Sequence, residues 1–279
     1  MRGSGDDCRR DDPAAGDQGQ IGDGHGGRGP GRLSVIGLGP GDISLLAPLA
    51  AHALSLARTV VGYTGYIDCL PSEVLAGKEV IATGMTGEVA RCERAVESAL
   101  AGFDTAVVSS GDAGVYGMAG LVLEILEKRG LLTRIEFEVI PGIPAVCAAA
   151  ALLGAPLTHD FAVISLSDLL TPWEVIVKRI EAAAAADFVI ALYNPRSKRR
   201  SGQLAQALGI VRRARGAAVP VGLVRQAFRE GQKVGVCRLD AFDPEAVDML
   251  SLVIVGNSMT RIAGDRMLTP RGYAEKYDL

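Results

Sequence analysis

From Arg32 onward, short apolar runs alternate with stretches of helical periodicity. Residues 33–36, 59–61, 105–109 and 137–140 predict strands, and 78–81 a weaker one. Between them Met118, Leu121, Val122, Ile125 and Leu126 fall at i, i+3, i+4, i+7 and i+8, one apolar helix face, with Gly130 placed to end the helix. A second series predicts strands at 161–165, 188–192, 219–224, 233–236 and 252–255. Its first helix is announced by Thr171-Pro172-Trp173-Glu174, read as a capping box with proline at the first helical position, and Trp173, Val177, Ile180 and Ala184 continue one face. Gly154-Ala155-Pro156 stops an alanine-rich helix over 144–153. The alternation predicts an α/β fold in two domains, 32–157 and 158–279.

Residues 1–31 hold ten glycines, six aspartates and almost no apolar side chains, too little to offset the entropy of ordering. They are expected to be a disordered tail, and they lack the apolar core of a secretory signal. The formal net charge of −3 offers no large positive field for nucleic acid or an anionic membrane. The longest strongly apolar stretch, 143–157, is broken by Pro144, Gly154 and Pro156 and is too short for a membrane span. Cys8, Cys69, Cys92, Cys147 and Cys237 are dispersed and only His25, His52 and His159 accompany them, so neither a metal site nor a disulfide framework is expected. Isolated thiols suit a reducing cytoplasm. The expected partners are small molecules or a second copy of the chain.

Chemistry is expected in the loops after the strands. Gly37-Leu38-Gly39-Pro40-Gly41-Asp42 approaches a dinucleotide fingerprint, but Asp42 stands where the third glycine belongs and Pro40 removes a donor. A carboxylate there repels pyrophosphate and suits a cationic ligand such as a sulfonium; alternatively Asp42 is the N-cap of the next helix. Ser109-Ser110-Gly111-Asp112-Ala113-Gly114-Val115-Tyr116-Gly117 again joins a strand to a helix, and Pro141-Gly142-Ile143-Pro144 makes a third turn. Gly/Asp loops at the carboxyl ends of strands mark the crevice where open α/β sheets bind ligands. The run Arg196, Lys198, Arg199, Arg200 is either a solvated loop or a site for a polycarboxylate. His159-Asp160 is either an acid–base pair or a structural junction.

The motifs G-L-G-P-G-D at 37–42, S-S-G-D-A-G-V-Y-G-M-A at 109–119, P-G-I-P-A at 141–145 and A-L-Y-N-P-R-S at 191–197 together resemble the tetrapyrrole methylases. Within that family, the stretches at 154–168 and 172–176 are similar to the branch that methylates C17 of precorrin-3B in cobalamin biosynthesis. The resemblance implies a two-domain α/β fold, usually dimeric, that holds S-adenosylmethionine (SAM) in the cleft between domains. Carried over by position, it implies cofactor contacts from Gly39, Pro40, Gly41, Gly111, Asp112, Val115, Pro144 and Ala145 on one side and Tyr193, Asn194, Arg225 and Ala227 on the other. Asp42, Asp112 and His159 are the candidates for proton movements. Arg196, Arg199 and Arg200 are the candidates for binding the tetrapyrrole's carboxylate arms.

Overall fold

The computed structural model describes residues 29–197 and 200–278. The first half is a parallel sheet of β1 (Leu33–Gly37), β2 (Thr59–Tyr63), β3 (Glu79–Thr83), β4 (Thr105–Ser109) and β5 (Phe137–Ile140), in the order β3-β2-β4-β1-β5. Helices α1 (Pro48–Leu56), α2 (Thr64–Ile67), α3 (Ser72–Leu75), α4 (Glu88–Leu100) and α5 (Ala119–Lys128) connect its strands. β1 and β4 are fully buried, which is why they read as unbroken apolar runs: helices cover both faces of a parallel sheet. One core lies between the sheet and α4–α5, the other between the sheet and α1–α3. The face predicted around Val122 and Leu126 is buried in the first of these, and Gly130, at φ +64°, follows the helix end.

A helix, α6 (Ala145–Leu153), leads into a mixed sheet of β7 (Phe161–Ser165), β8 (Val189–Tyr193), β9 (Pro220–Arg225), β10 (Lys233–Arg238) and β11 (Ser251–Val255), ordered β10-β9-β11-β8-β7. Only the β7–β8 pair is parallel. Helices α7 (Trp173–Ala185) and α8 (Gln203–Arg215) cover one face, and α6 covers the other. Although α6 precedes residue 158 in the chain, Val146, Ala149, Ala150 and Leu153 pack against Val189, Ala191, Val224 and Ile254 of the second sheet. The core therefore changes sheet at the Pro141–Pro144 turn.

Two local expectations are corrected. Pro172 occupies the N-cap of α7 rather than its first turn, and no side-chain cap forms, so the Thr171 box is absent. Gly154-Ala155 does end α6, with Gly154 at φ +118°, but it then forms a two-residue strand, β6 (Gly154–Ala155). β6 pairs with β13 (Arg266–Leu268) of a hairpin whose other strand is β12 (Arg261–Ala263). Among the described residues no helix is long and apolar enough to cross a membrane.

Candidate active site

In the first sheet β1 and β4 are neighbours, so their two glycine loops leave the same edge side by side. They are joined by reciprocal backbone hydrogen bonds, Gly39 N–H to Gly111 O at 3.0 Å and Gly111 N–H to Gly39 O at 2.8 Å. Asp112 then secures the arrangement. Its Oδ1 accepts from Gly114 N at 2.8 Å and Val115 N at 3.1 Å, and its Oδ2 accepts from Gly142 N at 3.0 Å, tying the second loop to the Pro141–Pro144 turn. A Cβ on Gly142 would lie 2.6 Å from Gly37 O, so only glycine permits the close approach of these loops.

Asp42 is spent locally. Its Oδ1 accepts from Ser44 N at 2.8 Å and Ser44 Oγ at 2.7 Å, capping the 3-10 turn Ile43–Leu45. These bonds hold its carboxyl below the usual carboxylate range. The N-cap alternative therefore describes its geometry, while the residue also lines a narrow side pocket with Leu38, Tyr66 and Ser110.

The main cleft, about 990 Å³ including its open mouth, lies between the two sheets. Pro40, Gly111, Asp112 and Val115 line it from the first-sheet side, Ala145 from the start of α6, and Tyr193, Asn194 and Ala227 from the second sheet. The structure thus brings together, on one cavity, loops far apart in the chain. Gly39 pairs with the lining residue Gly111, and Gly41 lines the side pocket. Pro144 stands as the N-cap of α6 beside Ala145. Arg225 is turned to Asp248, its Nε 2.7 Å from Oδ2, and braces the 248–251 turn rather than lining the cavity.

Sequence reasoning missed Tyr66, Ser110, Tyr116, Gln226, Arg229 and the segment 249–252, all of which line the cleft. Three lining residues, Tyr116 (φ 53°), Asn194 (φ 49°) and Gln226 (φ 50°), hold left-handed backbone without being glycine, a strained conformation that concentrates at binding sites. The Tyr116 hydroxyl reaches across to the edge of β7, donating to Val163 O and accepting from Ser165 N, both at 3.1 Å, while its ring packs on Tyr193 with centroids 5.2 Å apart. The Tyr193 hydroxyl accepts from Val146 N at 2.8 Å. Burial pushes the Tyr193 phenol up to about 12, so it remains a donor at neutral pH.

Arg229 bridges the two halves. It donates through Nε to Pro40 O and through Nη2 to Ser110 Oγ at 2.8 Å. The glycine at 41 makes this possible: a Cβ there would lie 2.8 Å from Arg229 Cγ, and Gly41 itself sits at φ +134°.

The basic run and the histidine are placed otherwise than the sequence suggested. Arg200 is 8% exposed and donates through Nη1 to Leu166 O at 2.8 Å and Asn194 O at 2.6 Å, with Asp168 3.6 Å from Nε. Arg196 pairs with Glu245 and donates to Pro244 O at 3.2 Å. Both guanidiniums brace the chain around the Asn194 strand end instead of facing solvent as a free cationic patch. Lys198 and Arg199 lie outside the described residues, as does the tail through residue 28. His159 is half exposed, 3.5 Å from Asp160, and precedes β7. Tyr116 of the cleft lining bonds to Val163 and Ser165 toward the far end of that strand, and five strand residues span roughly 13 Å. His159 therefore does not line the cleft as Asp112 does, and Asp42 lines only the side pocket. Among the described residues no three His, Cys, Asp or Glu side chains converge on a metal position.

The tetrapyrrole (corrin/porphyrin) methylase profile matches residues 32–243. The chain is 52% identical over 241 residues to the "Probable cobalt-factor III C(17)-methyltransferase" of Salmonella typhimurium, spanning 86% of this chain and 99% of that one. It is 49% identical over 251 residues to the cobalt-factor III methyltransferase of Priestia megaterium, where it covers 89% of this chain but only 46% of the relative, about half that protein's length. Identity to the precorrin-3B C(17)-methyltransferase of a Sinorhizobium species is 41% over 253 residues, or 88% of this chain and 98% of the relative. The solved structure of the methyltransferase CobJ superposes with a TM-score of 0.82 at 40% identity, covering 86% of this chain and 100% of that one. The adjoining glycine loops, the cleft between two α/β sheets and these matches agree: the chain belongs to the tetrapyrrole (corrin/porphyrin) methylases.

Proposed function

We propose that this chain is a SAM-dependent C-methyltransferase that methylates C17 of precorrin-3B, or of its cobalt form, with the accompanying ring contraction. The observation that carries the proposal is the convergence of the glycine loops and the Tyr193–Asn194 strand end on one cleft. Relatives named for C17 methylation, matched over nearly their whole length, supply the carbon and the substrate class.

The residues present suit SAM. Gly111, Ala145, Ala149 and Ala227 give small walls, Asn194 and Tyr193 offer polar groups, and the cavity is of ligand size. Pro40, Gly111, Asp112, Val115 and Ala145 would hold it from one side and Tyr193, Asn194 and Ala227 from the other. When bound, SAM supplies a methyl group on a positively charged sulfur, an electrophile that needs no further activation.

What the chain contributes is position and field. Asp112 keeps a negative charge at the cleft wall, which favours a cationic ligand. The Tyr116 and Tyr193 rings, packed at a tilt, bound the cavity, and holding the two reactants in one cleft supplies much of the acceleration. The four described cysteines carry free thiols, which supports a reducing cytoplasm as the compartment. A homodimer completes the proposal.

The test is incubation with methyl-labelled SAM and, separately, precorrin-3B and cobalt-factor III, with mass and NMR analysis of the product. Label at C17 supports the proposal; label at another ring carbon, or none with either substrate, refutes it.

A further inference from the structure

Two carboxylates and one guanidinium line the cleft and its side pocket, and they differ in how fully they are used. Asp42 accepts from Ser44, and Asp112 accepts from three backbone N–H groups. Arg229 spends its Nε on Pro40 O and one Nη2 proton on Ser110 Oγ. Among the described residues its Nη1 has no hydrogen-bond partner, and the side chain lines both the side pocket and the cleft, so part of a five-donor fork is unused there.

Tyr66 stands at the same junction. It lines both the side pocket and the main cleft, its ring packs edge-on against Tyr63 with centroids 5.1 Å apart, and its hydroxyl makes no hydrogen bond to any described residue. Burial pushes its phenol up, against the pull of Arg229 and Arg91, so it remains a donor at neutral pH. Arg91 adds positive charge behind it: the side chain is 3% exposed, its Nε has no partner, and its nearest carboxylate, Glu88, is 3.8 Å away. The corner therefore presents an unused phenol O–H beside an unused guanidinium N–H, the complement of a two-oxygen anion, while Asp42 and Glu88 offset the charges of Arg229 and Arg91 around it.

We propose that Tyr66 and Arg229 form a carboxylate-binding subsite at the junction of the side pocket and the main cleft, the phenol taking one oxygen and the guanidinium the other. This rests on the functional reading above for its ligands, which offer two sources of that group: a carboxylate arm of the tetrapyrrole, or the carboxylate of the cofactor's amino-acid end.

Binding measurements on purified Tyr66→Phe and Arg229→Gln separate the sources. The probes are uroporphyrin III, a polycarboxylate followed by its own fluorescence, and S-adenosylhomocysteine and methylthioadenosine, followed by calorimetry. A charge-assisted bond lost from the subsite weakens its ligand by about tenfold or more in R229Q, and the neutral phenol's loss by a few-fold in Y66F. Weaker uroporphyrin binding with unchanged S-adenosylhomocysteine assigns the subsite to the tetrapyrrole arm. Weaker S-adenosylhomocysteine binding with unchanged methylthioadenosine, which lacks the amino acid, assigns it to the cofactor. Y66F binding all three like the wild type overturns the proposal. So does R229Q weakening all three alike with a lowered melting temperature, because Arg229 would then be only a brace between the domains. None of these readouts needs turnover, so a wild-type chain that methylates another carbon would refute the functional reading and leave this one standing.

Discussion

The two walls of the cleft are built by different means. The first-sheet wall is backbone held by backbone: Gly39 and Gly111 pair, and Asp112 collects three amide N–H groups. The second-sheet wall is backbone held by charged side chains. Arg200 grips Leu166 and Asn194 carbonyls, Arg225 and Asp248 pair, and Asn194 and Gln226 are kept in left-handed conformations that they would not adopt alone. A wall of the first kind is sensitive to any added atom; one of the second kind is sensitive to charge and pH.

The largest expected effect breaks the first wall. Gly142→Ala pushes a methyl into the backbone of Gly37 and should cost about 3 kcal/mol, a fall of roughly 6–12 °C in melting temperature, with S-adenosylhomocysteine binding lost alongside. An unchanged melting temperature would show that the loops are not in contact.

On the second wall, Arg200→Met leaves two carbonyls without a donor, and should cost about 2 kcal/mol. Arg196→Met, whose Glu245 partner is largely exposed, should cost about 0.5 kcal/mol. Chemical denaturation of the pair of variants checks the ranking, and equal losses would mean that burial does not separate them.

The acid limb sharpens the contrast further. Burial pushes the Asp248 carboxyl up, but the hydrogen bonds from Arg225, Ser251 and Leu250 outweigh it and hold the group below its ordinary value. A depressed carboxyl stabilises the fold above its unfolded value of about 3.9 and loses that stabilisation as pH falls through the lower folded value. Asp248→Asn should therefore lower stability at neutral pH and flatten its decline below about pH 4. The same slope in both proteins would remove Asp248 from the account.

The smallest effect concerns Asp42. Because its carboxylate caps Ser44 at the surface, Asp42→Asn should weaken SAM and S-adenosylhomocysteine equally and only slightly. A selective loss of SAM would return the sulfonium role to this residue.

The same contrast explains what could be read without coordinates. The first wall was legible because glycine and aspartate at strand ends mean tight turns, and β1 and β4 announced themselves as apolar runs. The second wall was not. Arg196 and Arg200 look like a solvated run until the burial of one and the Glu245 partner of the other are known. Nothing in a linear pattern shows that Tyr66, Tyr116 and Arg229 reach the same cavity from separate elements. Helices α4 and α8 also escaped the sequence reading; the α4 face is built from small residues, Cys92, Ala95 and Ala99, around Val96. The short strand at Gly154-Ala155 exists only because β13 returns to it from far along the chain.

The central claim is that both walls close on one ligand, and a crystal structure of the chain with S-adenosylhomocysteine tests it most directly. The account predicts the ligand in the cleft, touching Gly111 and Val115 on one side and Asn194 and Ala227 on the other. A ligand held by residues of one sheet alone, or outside this cleft, would contradict it.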